Sequence, residues 1–477
     1  MPVRVYISEK PDAAKHVAEF LGVAKRLKGA YLLNNGDYVT NNIGHLLHIG
    51  KPEDYMSEAQ KAARGFQALP ILPDRFRFFP DPDKREQLNV VLDLLKKADI
   101  IVNAGDPDRE GQAISNSTIA FAGIDPSGKA KPVERVIVRA YDDASLRTAF
   151  DMKNRLRNGE PEAIRQGEAG LARGEADWLI GMNGSRALSA AIAVRLENAL
   201  SVGRVQTPTL GLVVRREMEI RNFKPVAYFV PEIHLPDGCV LTWSGRIDGA
   251  DARGVDDEGR ITDRRLAEAI VSRINAGLEG TVTDFAQVQR EQEPPLPFNL
   301  AKLQSEMSAR HGLSAKQTSK ATQGLYQTHK MVSYIGTDCQ YLPQSMHAEA
   351  PKVLQGIAGK FMKVASGANP KYQYSCWNDK KVSAHHAIIP TGELASGLTR
   401  DEQLVYDAVA RRYMAQFYPK HKYLETKLEA QYGEDVFKST SRKTVVEGWK
   451  AVDEQADEDV KDAEQMAETQ AMRMRNK

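Results

Sequence analysis

The sequence predicts a multi-domain α/β protein, with a parallel α/β sheet domain at the amino end followed by helical and β-rich lobes. Three observations lead there. Short β-branched runs alternate with helical stretches over the first 150 residues. Further on, apolar residues recur at spacings of three and four and then give way to alternating stretches among Gly- and Asp-rich connectors. The length, 477 residues, is that of roughly three domains, because a single core seldom grows far past about 150 residues before the chain splits.

The opening VRVYIS is a strand-like run that ends in a polar turn, SEKPD, and the AAKHVAEFLG behind it has helical spacing. EQLNVVLDLLKKA is a helix feeding DIIVNAG, a strand of the buried type, which breaks at GDPDREG and continues into the helical QAISNSTIAFAG. ERVIVRA is a third strand. In such sheets the working groups occupy loops past the carboxyl ends of strands, and both acidic turns, at Glu9 and at Asp106 to Glu110, have that location. Residues 151–222 read as a helical lobe, carried by GEAGLARGEADWLIGMNGSRALSAAIAV and TPTLGLVVRREMEIR. Residues 223–290, with YFVPEIHL and CVLTWSGRI, read as a β-rich insert that exits through the proline-rich EQEPPLPF. Two helical stretches follow, holding Lys302, Arg310, Lys316, Lys320 and Lys330 against the single acid Glu306, the most segregated basic stretch of the chain. From Asp453 to Glu468 there are eight acids and one Lys, which predicts a solvated or frayed tail. No internal repeat is present.

Composition excludes several classes. With 65 Lys+Arg against 63 Asp+Glu the net charge is +2, so nucleic-acid binding must come from local charge segregation. The 42% hydrophobic and 27% charged content is ordinary for a soluble protein, and no apolar run approaches the roughly 18 residues of a membrane span. The start turns polar before an apolar signal region forms, which predicts a cytoplasmic protein. Cys239, Cys339 and Cys376 are far apart, excluding a disulfide framework and a CxxC zinc module.

Asp106, Asp108 and Glu110 can converge on one loop, and hard oxygen ligands at that density suit Mg²⁺. An isolated DxD reads first as a solvated turn. Glu9 changes that reading, because it ends a different strand of the same sheet and four carboxylates at one edge are costly unless a cation or proton shares the site. A metal or phosphoryl-transfer site results. Tyr334, in KMVSYIGTDCQYLP, reads alone as one packed Tyr among 16. Lys330 and the neighbouring positive helices give it a setting in which a phenolate costs less and a phosphodiester is held. His385 and His386, in SAHHAIIPT, lack the spacing of a metal pair, leaving a DNA-contacting or proton-relaying role and a packed one equally open. SVGRVQTPTLG places Gly203, Arg204 and Gln206 before a Thr-Pro helix start, backbone and guanidinium together, as a phosphate needs. There is no GxxxxGK[ST] loop, GxGxxG fingerprint or GxSxG elbow. Bond chemistry here must therefore conserve its own energy.

Six blocks, ISEKP, NAGDPDREGQ, LARGEADWLIG, SVGRVQTPTLGLVVRRE, MVSYIGTDCQYLP and AHHAIIPT, stand in order from residue 7 to about residue 392. In these the chain resembles the type IA DNA topoisomerases, and within them the topoisomerase III branch, plasmid-borne versions included. The resemblance implies a toroidal, multi-domain architecture: a toprim domain at 1–150, a helical DNA-binding lobe at 151–222, a β-rich arch at 223–290 and 397–452, a nucleophile-bearing helical domain at 291–396, and the tail at 453–477. It implies an ATP-independent enzyme that transfers one DNA strand to a tyrosine as a 5′-phosphotyrosine, passes a strand and reseals, relaxing negative supercoils or decatenating DNA. By the same resemblance Tyr334 attacks, Glu9 assists proton transfer at the leaving 3′-oxygen, Lys10 contacts the scissile phosphate, and His385 joins the catalytic group. Glu9, Asp106, Asp108 and Glu110 would hold Mg²⁺, with no zinc. His45, Arg173, Asp177, Arg186, Ser201, Val202, Gly203, Arg204, Val205, Gln206, Lys330 and Gly336 would line or support the DNA path. Single-stranded or negatively supercoiled DNA is the implied partner of a monomer, with a helicase or single-strand-binding protein as a further partner and the loop around Gly245 to Gly259 as the place for a decatenation element.

The chain departs from the family pattern at three points. Gly336 stands where the family usually has an Arg two residues after the nucleophile. The chain ends at Lys477, where relatives continue through the rest of the helical lobe, so an incomplete lobe is expected. Zinc modules carried by some relatives are absent. Two competing readings use part of the same set: a primase or nuclease working with the toprim acids alone, and a single-strand-binding protein without cleavage.

Overall fold

The structure, a computed structural model, describes residues 2–141, 143–192, 200–246 and 254–452. The expected tail at 453–477 and residues 247–253 of the loop between Gly245 and Gly259 lie outside these. The chain divides into two compact units. The first comprises residues 1–219, 336–348 and 377–387, and the second residues 220–335, 349–376 and 388–477.

In the first unit the strands are β1 (Arg4–Ser8), β2 (Val23–Leu27), β3 (Ala30–Leu33), β4 (Tyr38–Asn41), β5 (Leu47–Ile49), β6 (Phe78–Pro80), β7 (Ile100–Ala104), β8 (Val133–Arg135) and β9 (Leu156–Arg157). Its helices are α1 (Pro11–Leu21), α2 (Glu58–Ala62), α3 (Arg85–Lys97), α4 (Arg109–Phe121), α5 (Asp143–Phe150), α6 (Pro161–Ala191) and α7 (Gln206–Arg221), which runs to the unit boundary. A seven-stranded sheet has the order β2-β3-β4-β1-β7-β8-β9. Its centre, β4-β1-β7-β8, is parallel. The flanks are not: β2, β3 and β4 form an antiparallel meander and β9 runs antiparallel to β8. The sequence predicts a parallel sheet and does not separate out this meander, whose signals are the Lys28-Gly29 and Asn34-Asn35-Gly36-Asp37 turns, in which both glycines have positive φ.

Alternation along the central strands explains why β1 is buried on both faces. Tyr6 and Val102 pack with α1 and α5 residues such as Val17, Leu146 and Phe150. Val5, Ile7 and Ile101 pack on the opposite side with Leu88, Val91 and Leu95 of α3 and Ile119 of α4. Helices on both faces leave the carboxyl ends of β1 and β7 as the open edge. No residue of α7 is buried, and Leu210, Leu212, Val213 and Met218 are each more than half exposed.

The second unit holds an antiparallel sheet of β10 (Glu232–His234), β11 (Val240–Arg246), β12 (Thr281–Gln292), β13 (His421–Tyr432) and β14 (Asp435–Val446), in the order β10-β11-β14-β13-β12. Helix α8 (Arg264–Asn275) covers it through Ala267 and Ile270 against Leu241, Ala430 and Phe437. The helices α9 (Leu300–His311), α10 (Ala315–Gln327), α12 (Ala350–Ala365) and α13 (Arg400–Met414) belong to this unit, whereas the short α11 (Gln344–His347) lies in the first. Among the described residues no helix is long and apolar enough to cross a membrane.

Candidate active site

Glu9 directly follows β1, and Asp106 follows β7 by one residue, Gly105. Because β1 and β7 are parallel neighbours, the two carboxylates meet at one edge. Lys10 Nζ donates to Asp106 Oδ2 at 2.6 Å and lies 3.3 Å from Glu9 Oε1. His385 Nε2 is 3.0 Å from the same Asp106 oxygen. It is delivered by residues 377–387, which pair with 336–348 through the Ala387 N–H to the Tyr341 carbonyl at 2.9 Å and the Thr337 hydroxyl to the His385 carbonyl at 3.4 Å. Four residues from three distant stretches thus converge.

Their protonation states are pushed apart. Burial, then the Asp106 charge, raises Glu9 to about 7. Burial opposes ionisation of Asp106 as well, but His385 and Lys10 outweigh it and hold that carboxyl well below its usual range. One buried acid is half protonated at neutral pH while its neighbour stays charged. Glu9 binds its proton more tightly folded than unfolded, so stability falls as pH rises from about 4.5 through 7. In metal-free buffer, Glu9→Gln is expected to melt higher than the parent at pH 8 and at about the same temperature near pH 4.5. Thermal melts at the two pH values check this, and equal melting at pH 8 would overturn it.

The other acids face different tasks. Asp108 caps α4, its Oδ1 accepting from the Gly111 N–H at 2.8 Å. Glu110 Oε1 lies 2.8 Å from His45 Nε2 and its Oε2 3.7 Å from Arg173 Nη1. Arg173 continues to Asp177 at 3.9 Å, and Asp177 to Arg204 at 2.8 Å. A half-exposed row in which basic side chains alternate with acids, His45, Glu110, Arg173, Asp177 and Arg204, therefore runs from the acidic loop across α6 to the start of α7.

Glycines make this row geometrically feasible. A Cβ on Gly170 of α6 would meet the Arg109 carbonyl oxygen and, at 2.6 Å, Ala113 Cβ of α4. Backbone cannot yield, so Gly170→Ala must push α6 off α4 and pull Arg173 from Glu110. A cost of about 1–3 kcal/mol is expected, read as a fall of several degrees in the melting midpoint. Parent-like melting would show that the helices do not need this close approach.

Other expected site residues are placed elsewhere. Arg186 pairs with Glu53 at 2.6 Å instead of joining the charge row. Two amides of the 201–206 loop are engaged: Val202 N–H donates to Ser185 Oγ at 2.9 Å and Gly203 N–H to Thr207 Oγ1 at 3.1 Å, while the Gln206 side-chain Nε2 donates to Ser201 Oγ at 3.0 Å. Beside them the loop offers the Arg204 guanidinium and the exposed Val205. In the second unit Val332 bridges Pro390, the Ser333 N–H donates to the Ile389 carbonyl at 2.9 Å, and the Thr391 N–H donates to the Met331 carbonyl at 3.0 Å. The segment carrying Tyr334 is thus laced to Ile388–Thr391. The chain leaves this unit between Ile335 and the exposed Gly336.

Sequence reasoning missed Arg135. Fully buried at the end of β8, it donates to the carbonyls of Asn103 at 3.2 Å, Gly105 at 2.8 Å, Asp106 at 2.8 Å and Val136 at 3.0 Å. Burial lowers it to about 10, against Asp106, Asp108 and Glu9, so it stays charged at neutral pH. The available signal was a cation inside the apolar run ERVIVRA.

As placed, no three His, Cys, Asp or Glu side chains among the described residues form a group that could hold a metal ion. The donor chemistry nevertheless fits a hard cation. Glu9 Oε2 is buried without a hydrogen-bond partner, and a Cβ on Gly111 would come within 2.8 Å of both that oxygen and the Asp106 amide nitrogen. A small space lined by carboxylate oxygen is kept open at the edge.

An acidic loop and a lone glutamate at the carboxyl edge of a mostly parallel sheet define a toprim-type nucleic-acid enzyme, and the family model described as the Toprim domain matches residues 4–139. A second family model, described as DNA topoisomerase, matches residues 162–477. The chain is 37% identical over 467 residues to the DNA topoisomerase 3 of Vibrio cholerae, covering 95% of this chain and 71% of that one. It is 36% identical over 459 residues to the DNA topoisomerase 3 of Salmonella typhimurium, covering 94% and 69%. Among solved structures, full-length topoisomerase I from Thermotoga maritima shares the fold with a TM-score of 0.58 and 22% identity, over 94% of this chain and 67% of that one. The chain belongs to the type IA DNA topoisomerase family, in its topoisomerase III branch.

Proposed function

We propose that Tyr334 is the nucleophile of this topoisomerase and that Glu9, Lys10, Asp106 and His385 form the group that serves it. The observation that supports this reading is the convergence of the last four at one sheet edge, with Lys10 between two buried carboxylates. The Tyr334 oxygen attacks a phosphorus of one DNA strand. The bond from phosphorus to the 3′-oxygen breaks, the 5′-phosphate stays on the tyrosine, and the phenolic proton leaves to solvent. The departing 3′-oxygen takes a proton from Glu9, which burial keeps half protonated at neutral pH. Resealing reverses these steps. One ester replaces another, so no nucleotide is consumed.

Lys10 meets the phosphate charge as DNA enters, exchanging part of its hold on Asp106. Asp106, Asp108 and Glu110, with Glu9, would hold Mg²⁺, which supplies charge to offset the phosphates when bound. Arg173 and Arg204, oriented by Asp177, carry the sugar-phosphate backbone of a single strand past the site. Binding is expected to weaken with salt, as phosphate contacts do. A helicase or single-strand-binding protein that supplies unpaired DNA is the matching partner, and the chain acts as a monomer.

The test is an end-labelled single-stranded oligonucleotide incubated with the full chain and Mg²⁺ and stopped with denaturant. A covalent protein–DNA adduct that is lost in EDTA is expected. Salt-sensitive binding with no adduct under any divalent metal would overturn the reading in favour of a binding-only protein.

A further inference from the structure

Beside Tyr334 the second unit holds an arrangement that the steps above do not use. Tyr326, in the last turn of α10, meets the Tyr334 ring edge-on, with centroids 5.6 Å apart and planes at 73°. The Lys330 ammonium sits 5.5 Å from the centroid of the Tyr326 ring. Lys330 is the one non-glycine residue with positive φ among the described residues, at +56°. That conformation costs a side-chain-bearing residue energy and persists only where its surroundings enforce it. Here the enforcement is visible: the Thr391 hydroxyl donates to the Lys330 carbonyl at 2.7 Å, and the Met331 N–H donates to the Leu325 carbonyl at 2.9 Å. The chain is turned back on itself so that a cation reaches the ring lying against Tyr334.

We infer that Tyr326 is a positioning residue: its ring, with the Lys330 ammonium over it, fixes the direction in which Tyr334 presents its phenol. This rests on the reading of Tyr334 as the nucleophile. A tyrosine side chain turns about two bonds, and its oxygen lies at the far end, where a small rotation moves it by an ångström or more. Misplacement of that size costs an attacking group about a hundredfold in rate. The backbone pairing of residues 331–333 with 389–391 holds the chain, and the Tyr326 ring meets the side chain it displays. Edge-on aromatic contact is directional, and a cation over the ring strengthens its hold. Gly336, lacking a side chain, contributes no such restraint from the other side in sequence.

The experiment compares Tyr326→Leu, Tyr326→Phe and Tyr334→Phe in the full chain, using single-turnover cleavage of a labelled single-stranded oligonucleotide with Mg²⁺, equilibrium binding of the same oligonucleotide, and thermal melts. Tyr326→Leu is expected to lose about ten- to a hundredfold in cleavage rate, with affinity within twofold of the parent and an unchanged melt. Tyr326→Phe, which keeps the ring, is expected to recover most of the rate. Parent-like cleavage by Tyr326→Leu, with Tyr334→Phe inactive, overturns the positioning role alone. Equal losses of cleavage, affinity and melting temperature, not recovered by Phe, make Tyr326 a packing residue and overturn it too. An adduct that survives in Tyr334→Phe, or none from the parent, removes the nucleophile reading and this inference with it.

Discussion

Tyr334→Phe is expected to form no detectable adduct with single-stranded DNA while binding it with parent-like affinity. The substitution removes one oxygen and keeps the ring, so the edge-on contact with Tyr326 survives and the segment stays laced to Ile388–Thr391. Phenylalanine offers no oxygen that could end up bonded to phosphorus, which a transesterification needs. A loss of at least four powers of ten follows if the residual reaction is only slow attack by water, on the scale at which removing a nucleophile reduces an enzyme to its binding and electrostatic remainder. The measurement is adduct yield on a denaturing gel over long incubation. An adduct that still appears would mean another nucleophile, whereas cleavage without any adduct would point to direct hydrolysis at the toprim acids.

Lys10→Met is expected to cut single-turnover cleavage by about two to three powers of ten, the loss typical when one charge-stabilising donor is removed from an active site. Lys10 bridges Glu9 and Asp106. Without it two buried carboxylates face each other with less positive charge between them, and Glu9 is pushed higher still because the ammonium that lowers it is gone. Glu9 would then hold its proton at neutral pH yet release it less readily, and the phosphate would meet uncompensated negative charge. Methionine keeps the length and apolar stem, so the test isolates the ammonium. Cleavage within threefold of the parent would show that Lys10 serves the fold and not the reaction.

The sequence made some of this legible for specific reasons. Glu9 and Asp106 could be brought together because a parallel βαβ arrangement puts successive strand ends on one edge, and β1 and β7 are adjacent. The short β2–β4 meander was missed because its strands are four or five residues long and carry no alternation long enough to stand out. Arg186, expected along the DNA path, bonds Glu53, 133 residues away in sequence, a contact that no local pattern signals. The hydroxyls that take the Val202 and Gly203 amides, Ser185 and Thr207, are revealed only by folding. Tyr326 was invisible for a related reason: it lies eight positions from Tyr334 across a helix end, and only the left-handed turn at Lys330 folds the two rings together.

Arg135 carries a consequence for how this enzyme can change. Its guanidinium ties the start of the acidic loop, through the Gly105 and Asp106 carbonyls, to the strands beneath it, through those of Asn103 and Val136, and it bonds none of the loop's carboxylates. The half-exposed side chain at position 110 takes no part in that support, so it can be rewritten as an amide, thiol or imidazole without dismantling what lies beneath it. Asp106 differs, because its charge offsets the buried guanidinium. A library at position 110 would therefore sample metal preference and chemistry against a constant scaffold, and evolvability at this edge is stored in one buried arginine.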